Sequence, residues 1–119
     1  MAATPTRSWD TVDTVTTSTG ATLDELLGRS ASGDTGAFGD FYDQTCDRVY
    51  GMVRRVLRDP GYSEEVTQEV YLQAWRSSGD FDPSAGTPLS WLLTIAHRRA
   101  VDRVRSETAS TDRVLRYAA

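Results

Sequence analysis

Plotted at about 100° per residue, the chain places apolar residues every three or four positions in four separate stretches, and nowhere shows the strict alternation of a strand. The first stretch is short, TLDELLGRS from Thr22, and runs out between Gly28 and Gly33. The second extends from about Thr35 to Arg58, with Phe38, Phe41, Tyr42, Thr45, Val49, Met52, Val53 and Val56 on one stripe. Its aspartates lie in the first half and its arginines at the end, as the helix dipole favours. Asp59-Pro60-Gly61 should stop it. Ser63 then reads as the N-cap of a third helix, with Glu64 and Glu65 in its first turn and its end near Ser78-Gly79. Beyond the loop GDFDPSAGTP, a fourth helix is expected from about Leu89 to Arg105, turning Leu89, Leu92, Leu93, Ala96, Ala100 and Val104 inward. No internal repeat is present. The pattern predicts an all-α fold, a small bundle of about four helices.

Two helix faces resist this simple division. In SEEVTQEVYLQAW, Ser63 to Trp75, the residues Val66, Val70, Tyr71, Ala74 and Trp75 form a buried stripe. The opposite face carries Glu64, Glu65, Gln68, Glu69 and Arg76, yet Leu72 sits in its middle. Single exposed leucines are common, so Leu72 alone proves little. The fourth helix repeats the problem, because its outward face holds Trp91, Ile95, Arg98, Asp102 and Arg105. Either another segment covers that tryptophan and isoleucine, or they belong to a contact surface.

Composition narrows the choice. With 119 residues, 39% of them hydrophobic, the chain suits one domain with a modest core. Its net charge of −4 conceals a segregation. Asp34 to Asp47 holds four aspartates and no basic residue, whereas His97 to Arg105 holds four arginines against one aspartate. An anionic partner is therefore confined to one patch rather than excluded. All 13 basic residues are arginine, which a compositional bias explains, although arginine also suits planar contact with bases and phosphates. Cys46 is the only cysteine, so no internal disulfide can form, and no apolar run approaches the ~20 residues of a membrane span. The chain reads as reduced and cytoplasmic. Residues 1–20, rich in Thr and Ser, read as a disordered tail whose one large apolar residue is Trp9. A Cys46–His97 nucleophile pair is conceivable. Cys46, however, lies at the edge of a core stripe, and one Cys with one His makes no closed metal site. Neither an enzyme nor a cofactor is expected.

In this order the segments resemble the second domain of extracytoplasmic-function (ECF) sigma factors, which direct bacterial RNA polymerase to promoters. The matching text is AFGDFYDQTCDRVYGMVRRVLRD, then SEEVTQEVYLQAW, then FDPSAGTPLSWLLTIAHRRAVDRVRS, from about Ala37 to Ser106. TQE with an aromatic and AW, followed at this spacing by FDP and the W-L-x-x-I-A-x-R-R-A-x-D-x-x-R string, is the specific part. Within the family the wording is most similar to actinobacterial sigma-K-like members. The resemblance implies a role for each odd face. The TQE helix would dock on the β′ clamp helices of core RNA polymerase through Glu65, Gln68 and Glu69, with Leu72 as an apolar centre in a polar rim. The loop Asp80 to Thr87 would hold a flipped base of the non-template −10 strand. Ser84, Ala85 and Gly86 there let the backbone approach it. Trp91, Ile95, Arg98, Arg99, Arg103 and Arg105 on the following helix would complete the DNA surface.

Two departures from relatives bear on function. Housekeeping sigma factors carry a tandem tryptophan wedge where Ile95 and Ala96 stand, so melting power should be weaker and promoter choice stricter. Nothing after Arg105 resembles the helix-turn-helix domain that reads the −35 element. The chain is expected to be a domain spanning residues 21–106, with residues 107–119 beginning a linker. An anti-sigma factor is the expected regulator, covering the same surfaces. The competing class is a small helical DNA-binding repressor, but the ten-residue, two-proline loop before the arginine-rich helix is a poor helix-turn-helix.

Overall fold

The computed structural model describes residues 20–118, so the expectations for the tail and Trp9 lie outside the described residues. Helix α1 spans Leu23–Ala31, α2 Thr35–Leu57, α3 Pro60–Ser77 and α4 Pro88–Ala118, with a single 3₁₀ turn at Ser78–Asp80. Among the described residues there is no strand, and the all-α expectation holds.

Each helix begins where a side chain can satisfy its first orphan amides. Thr22 caps α1 in a reciprocal box, its hydroxyl accepting from the Glu25 N–H at 3.1 Å while the Glu25 carboxylate accepts from the Thr22 N–H at 2.9 Å. Asp34 caps α2 by accepting from the Ala37 N–H at 3.0 Å. Helix α3 starts earlier than the sequence pattern indicated. Its N-cap is Asp59, which accepts from the Tyr62 N–H at 2.9 Å, and Pro60 occupies the first turn, where a missing N–H costs nothing. Ser63 is therefore not a cap but a fully buried interior residue, its hydroxyl without a hydrogen-bond partner. Between α2 and α3 the chain turns at Arg58, which adopts a left-handed conformation with φ 64° and donates its N–H to the Arg54 carbonyl.

Contacts fix the order of packing. Phe38 meets Trp75 edge-on at 5.2 Å, and Tyr42 meets Tyr71 at 4.6 Å, so α2 and α3 run antiparallel. Arg103 and Arg99 of α4 reach Glu65 and Glu69 of α3, so those helices are antiparallel too. Helices α2 and α4 consequently run parallel, and they also pack on each other. The core between them comprises Leu26, Leu27, Phe41, Val49, Val53, Val66, Val70, Leu92, Ile95 and Ala96, with Phe38, Trp75 and Trp91 half-buried at its edges. Cys46 is buried on the same stripe. One polar link crosses this core. Thr45 donates to the Phe41 carbonyl at 2.8 Å, so its oxygen accepts the Tyr71 hydroxyl at 2.6 Å.

Helix α4 differs from expectation in its C-terminal part. Val104, expected inward, is exposed. The helix, expected to end near Arg105, continues to Ala118 through the segment expected to begin a linker, which is exposed from Thr108 onward. Among the described residues no helix is long and apolar enough to cross a membrane.

Candidate nucleic-acid interface

Leu72 stands out from α3 with 55% of its surface exposed, beside exposed Glu65 and Gln68 and half-buried Glu69. The sequence wheel places this residue correctly. Trp75 is less enclosed than its stripe suggested, although its ring packs on Phe38.

The loop before α4 is built from short-range hydrogen bonds. Asp82 Oδ1 accepts from both the hydroxyl and the N–H of Ser84, at 2.7 and 3.0 Å, and the Asp82 carbonyl accepts from the Ala85 N–H at 3.0 Å. The two Ser84 donors hold the Asp82 carboxyl below its usual pKa, the hydroxyl contributing more. Thr87 closes the loop by capping α4, its hydroxyl accepting from the Ser90 N–H at 3.1 Å. Phe81 packs edge-on against Trp91 at 5.7 Å. The result is a cleft of roughly 350 Å³ lined by Asp80, Phe81, Ala85, Gly86, Thr87 and Trp91. Two aromatic rings, Phe81 and Trp91, line it together with small residues and the carboxylate residues Asp80 and Asp82, and Ser84 is exposed in the same loop. A methyl group added at Gly86 would meet nothing closer than the Ser90 hydroxyl at 3.5 Å, so the fold itself does not demand glycine there.

Two residues expected on the outer face of α4 behave differently from each other. Trp91 is half-buried and borders the cleft, whereas Ile95 is only 7% exposed and belongs to the core. The wheel misplaced Ile95 because α4 packs on both α2 and α3, so two of its faces are covered. Ala96, its neighbour, is fully buried.

The arginines divide by partner. Arg99 donates through Nε to the Gln73 side-chain oxygen at 2.7 Å and pairs with Glu69 at 3.5 Å. Arg103 is hydrogen-bonded to Glu65, lies 3.9 Å from Glu69, bonds Glu107 one turn on at 3.1 Å, and stacks over the Tyr62 ring at 4.7 Å. The Glu65 hydrogen bond, opposed in part by desolvation, raises its pKa further. Residues expected to serve separate partners, Glu65 and Glu69 on one side and Arg99 and Arg103 on the other, are thus joined into a single brace. Arg98 and Arg105 are exposed and make no ion pair among the described residues. Sequence spacing could not show this split, since all four arginines lie within eight residues of one another.

His97 and Cys46 line different clefts, and among the described residues no group of three or more His, Cys, Asp or Glu could hold a metal.

A bundle with an exposed leucine on an acidic helix and an aromatic-lined loop cleft ahead of an arginine-bearing helix has a counterpart among known families. Residues 41–110 match the Sigma-70 region 2 model, and the chain belongs to that family. Among curated proteins it is 65% identical over 97 residues to the ECF RNA polymerase sigma factor SigK of Mycobacterium sp. (strain KMS), covering 82% of this chain and 50% of that protein. It is 61% identical over 97 residues to the ECF RNA polymerase sigma factor SigK of Mycobacterium ulcerans (strain Agy99), covering 82% of this chain and 52% of the relative. The chain thus spans about half the length of the curated relatives it matches.

Proposed function

We propose that this chain is the polymerase-docking and promoter-opening domain of an ECF-type transcription initiation factor. Helix α3 docks on the β′ clamp helices of core RNA polymerase through Leu72, Gln68 and the outer edges of Glu65 and Glu69. The loop from Asp80 to Thr87, with Trp91 behind it, takes an unstacked base of the non-template −10 strand. Arg98 and Arg105 neutralise the phosphates alongside. Arg99 and Arg103 act mainly by holding α4 against α3, and Ile95 supports the surface from beneath. An anti-sigma factor would shield Leu72.

The observation that carries this reading is Leu72, 55% exposed within an acidic helix face, in a chain whose family pattern lies on that same helix. A large apolar side chain inside a polar rim is the anatomy of an interface centre. The repressor alternative is less well supported, since α3 and α4 lie antiparallel and are joined by a long loop.

The test is core-polymerase capture by Leu72→Asp and by Gln68→Ala, with thermal melting measured in parallel. Binding should fall about tenfold or more for Leu72→Asp, the loss expected for an interface anchor, with little change in melting temperature. Normal capture would show that this face is not the docking surface. Glu69→Ala is a less clean probe, because it also removes an ion-pair partner of Arg99 and Arg103.

A further inference from the structure

Hydrogen bonds already made within the loop decide which groups its cleft still offers. The Ser84 hydroxyl donates to Asp82 Oδ1 at 2.7 Å, the Ser90 hydroxyl to the Thr87 carbonyl at 3.3 Å, and the Thr94 hydroxyl to the Ser90 carbonyl at 2.8 Å. Those three hydrogens are committed. The Thr87 hydroxyl accepts from the Ser90 N–H and so keeps its own hydrogen. No Arg, Lys, His, Asn or Gln borders the cleft among the described residues. Its uncommitted side-chain donors are therefore the Thr87 hydroxyl and the Trp91 indole N–H, both neutral. The acceptors are more numerous, and they are charged. Asp80, at the end of the 3₁₀ turn, has no hydrogen bond or ion pair among the described residues, so both its carboxylate oxygens are open. Asp82 uses Oδ1 for both Ser84 donors and leaves Oδ2 open. The two acids flank Phe81 in the chain, and all three line the cleft with Trp91. Rings that can hold a base by its face are thus bordered by three oxygens that can only accept.

We infer that Asp80 and Asp82 make this cleft selective for a base bearing an exocyclic amino group, so that thymine is the base it takes least well. The inference deepens the functional reading above and rests on it for the presence of a base. Adenine, cytosine and guanine each carry an amino group on an edge that an extruded base presents, whereas thymine carries carbonyls there. An amino group donates to a carboxylate in a charge-assisted bond, about twice as strong as a neutral one. Thymine's one edge donor, its ring N–H, lies between two carbonyl oxygens. A carboxylate approaching it meets like partial charge on either side. Selection therefore works twice, by attraction to the amino group and by repulsion of the carbonyl. Asp80 has no second task in the loop, whereas Asp82 also shapes it through Ser84.

The experiment uses the whole chain bound to core RNA polymerase, on a promoter fork opened by mismatch. Each position of the single-stranded −10 segment is made abasic in turn. The position whose base matters most then carries adenine, cytosine, guanine or thymine. Thymine there should bind about fivefold or more weakly than the best of the other three, the discrimination expected of one good base contact. Unsubstituted purine, which lacks adenine's amino group but adds no carbonyl, should fall between adenine and thymine. Asp80→Asn keeps the shape of the side chain and gives it a donor for a carbonyl, so it should shrink the thymine penalty severalfold. Asp82→Asn, whose amide oxygen can still accept from Ser84, should shrink it in part. The quantity read is the ratio between bases, because removing a negative charge beside phosphates strengthens binding to all of them alike. Thymine bound as well as the amino-bearing bases, or a thymine penalty unchanged in both variants, would overturn the inference. Failure of the functional reading gives a different signature: no abasic position weakens binding at all.

Discussion

At the level of single residues, two positions show what the fold tolerates and why. Tyr71 is buried and donates to Thr45, and burial pushes its phenol well above the ordinary tyrosine pKa. A phenol that resists ionisation in the folded state but ionises near pH 10 when unfolded makes stability fall as pH rises above about 10. Below that pH the same group has no such effect. Tyr71→Phe should remove this alkaline component and cost about 1 kcal/mol at neutral pH, because Thr45 keeps its bond to Phe41. Chemical denaturation at pH 7 and pH 11 would check both parts. Arg58 is the reverse case, a non-glycine residue at φ 64°. Arg58→Gly should stabilise the domain by up to about 1 kcal/mol. At this scale Leu72 was legible from a helical wheel, because it stands alone on a polar face. Ile95 was not, since a wheel gives the direction of a side chain but not which neighbours lie there.

At the level of elements, all four helices were legible from periodicity, and the misreadings fall at their ends. Asp-Pro-Gly was read as a stop, although the same three residues also make a start, with Asp59 as acceptor and Pro60 at a position that needs no N–H. The distinction is measurable at Ser63. A capping serine replaced by alanine should cost about 1 kcal/mol. A buried hydroxyl with no partner should be neutral to replace, or stabilising. Ser63→Ala is therefore expected to leave the melting temperature unchanged or raise it, and a clear drop would restore the capping role. The brace between α3 and α4 was invisible for another reason: its acids and arginines are 38 residues apart in the Glu65–Arg103 pair. With Glu65 more than half exposed, a double-mutant cycle for that pair should give coupling of no more than about 1 kcal/mol, decreasing with salt. The brace sets orientation more than stability. It keeps α4, and with it the loop cleft, at a fixed angle to the face that bears Leu72.

At the level of the whole molecule, the charge segregation seen in the sequence becomes a division of labour between the loop and the helices. On the proposed reading, charged side chains along α4 would act on phosphates, which are alike at every nucleotide, so they could supply affinity but little base choice. The loop cleft has the opposite character. Its aromatic pair, Phe81 and Trp91, and its small residues Ala85, Gly86 and Thr87 suit a stacked, hydrogen-bonded base. Its shape depends on Asp82, which holds Ser84 through two hydrogen bonds. The sequence showed that this loop was small and turn-rich but not that Asp82 organises it, because an aspartate before proline fits many turns. Replacing Asp82 with alanine should therefore loosen the rim without touching the phosphate contacts. On a mismatched promoter fork with polymerase present, Asp82→Ala should weaken the preference among −10 bases and an exchange of Ser84–Gly86 should change it, with the salt slope unaltered in both. Arg98→Ala should do the reverse, weakening all sequences about equally and flattening the slope by about 0.9. If Arg98→Ala alters base preference as much as the loop changes do, affinity and choice are not separable in this domain. Exposed Arg98 would then be reading bases directly.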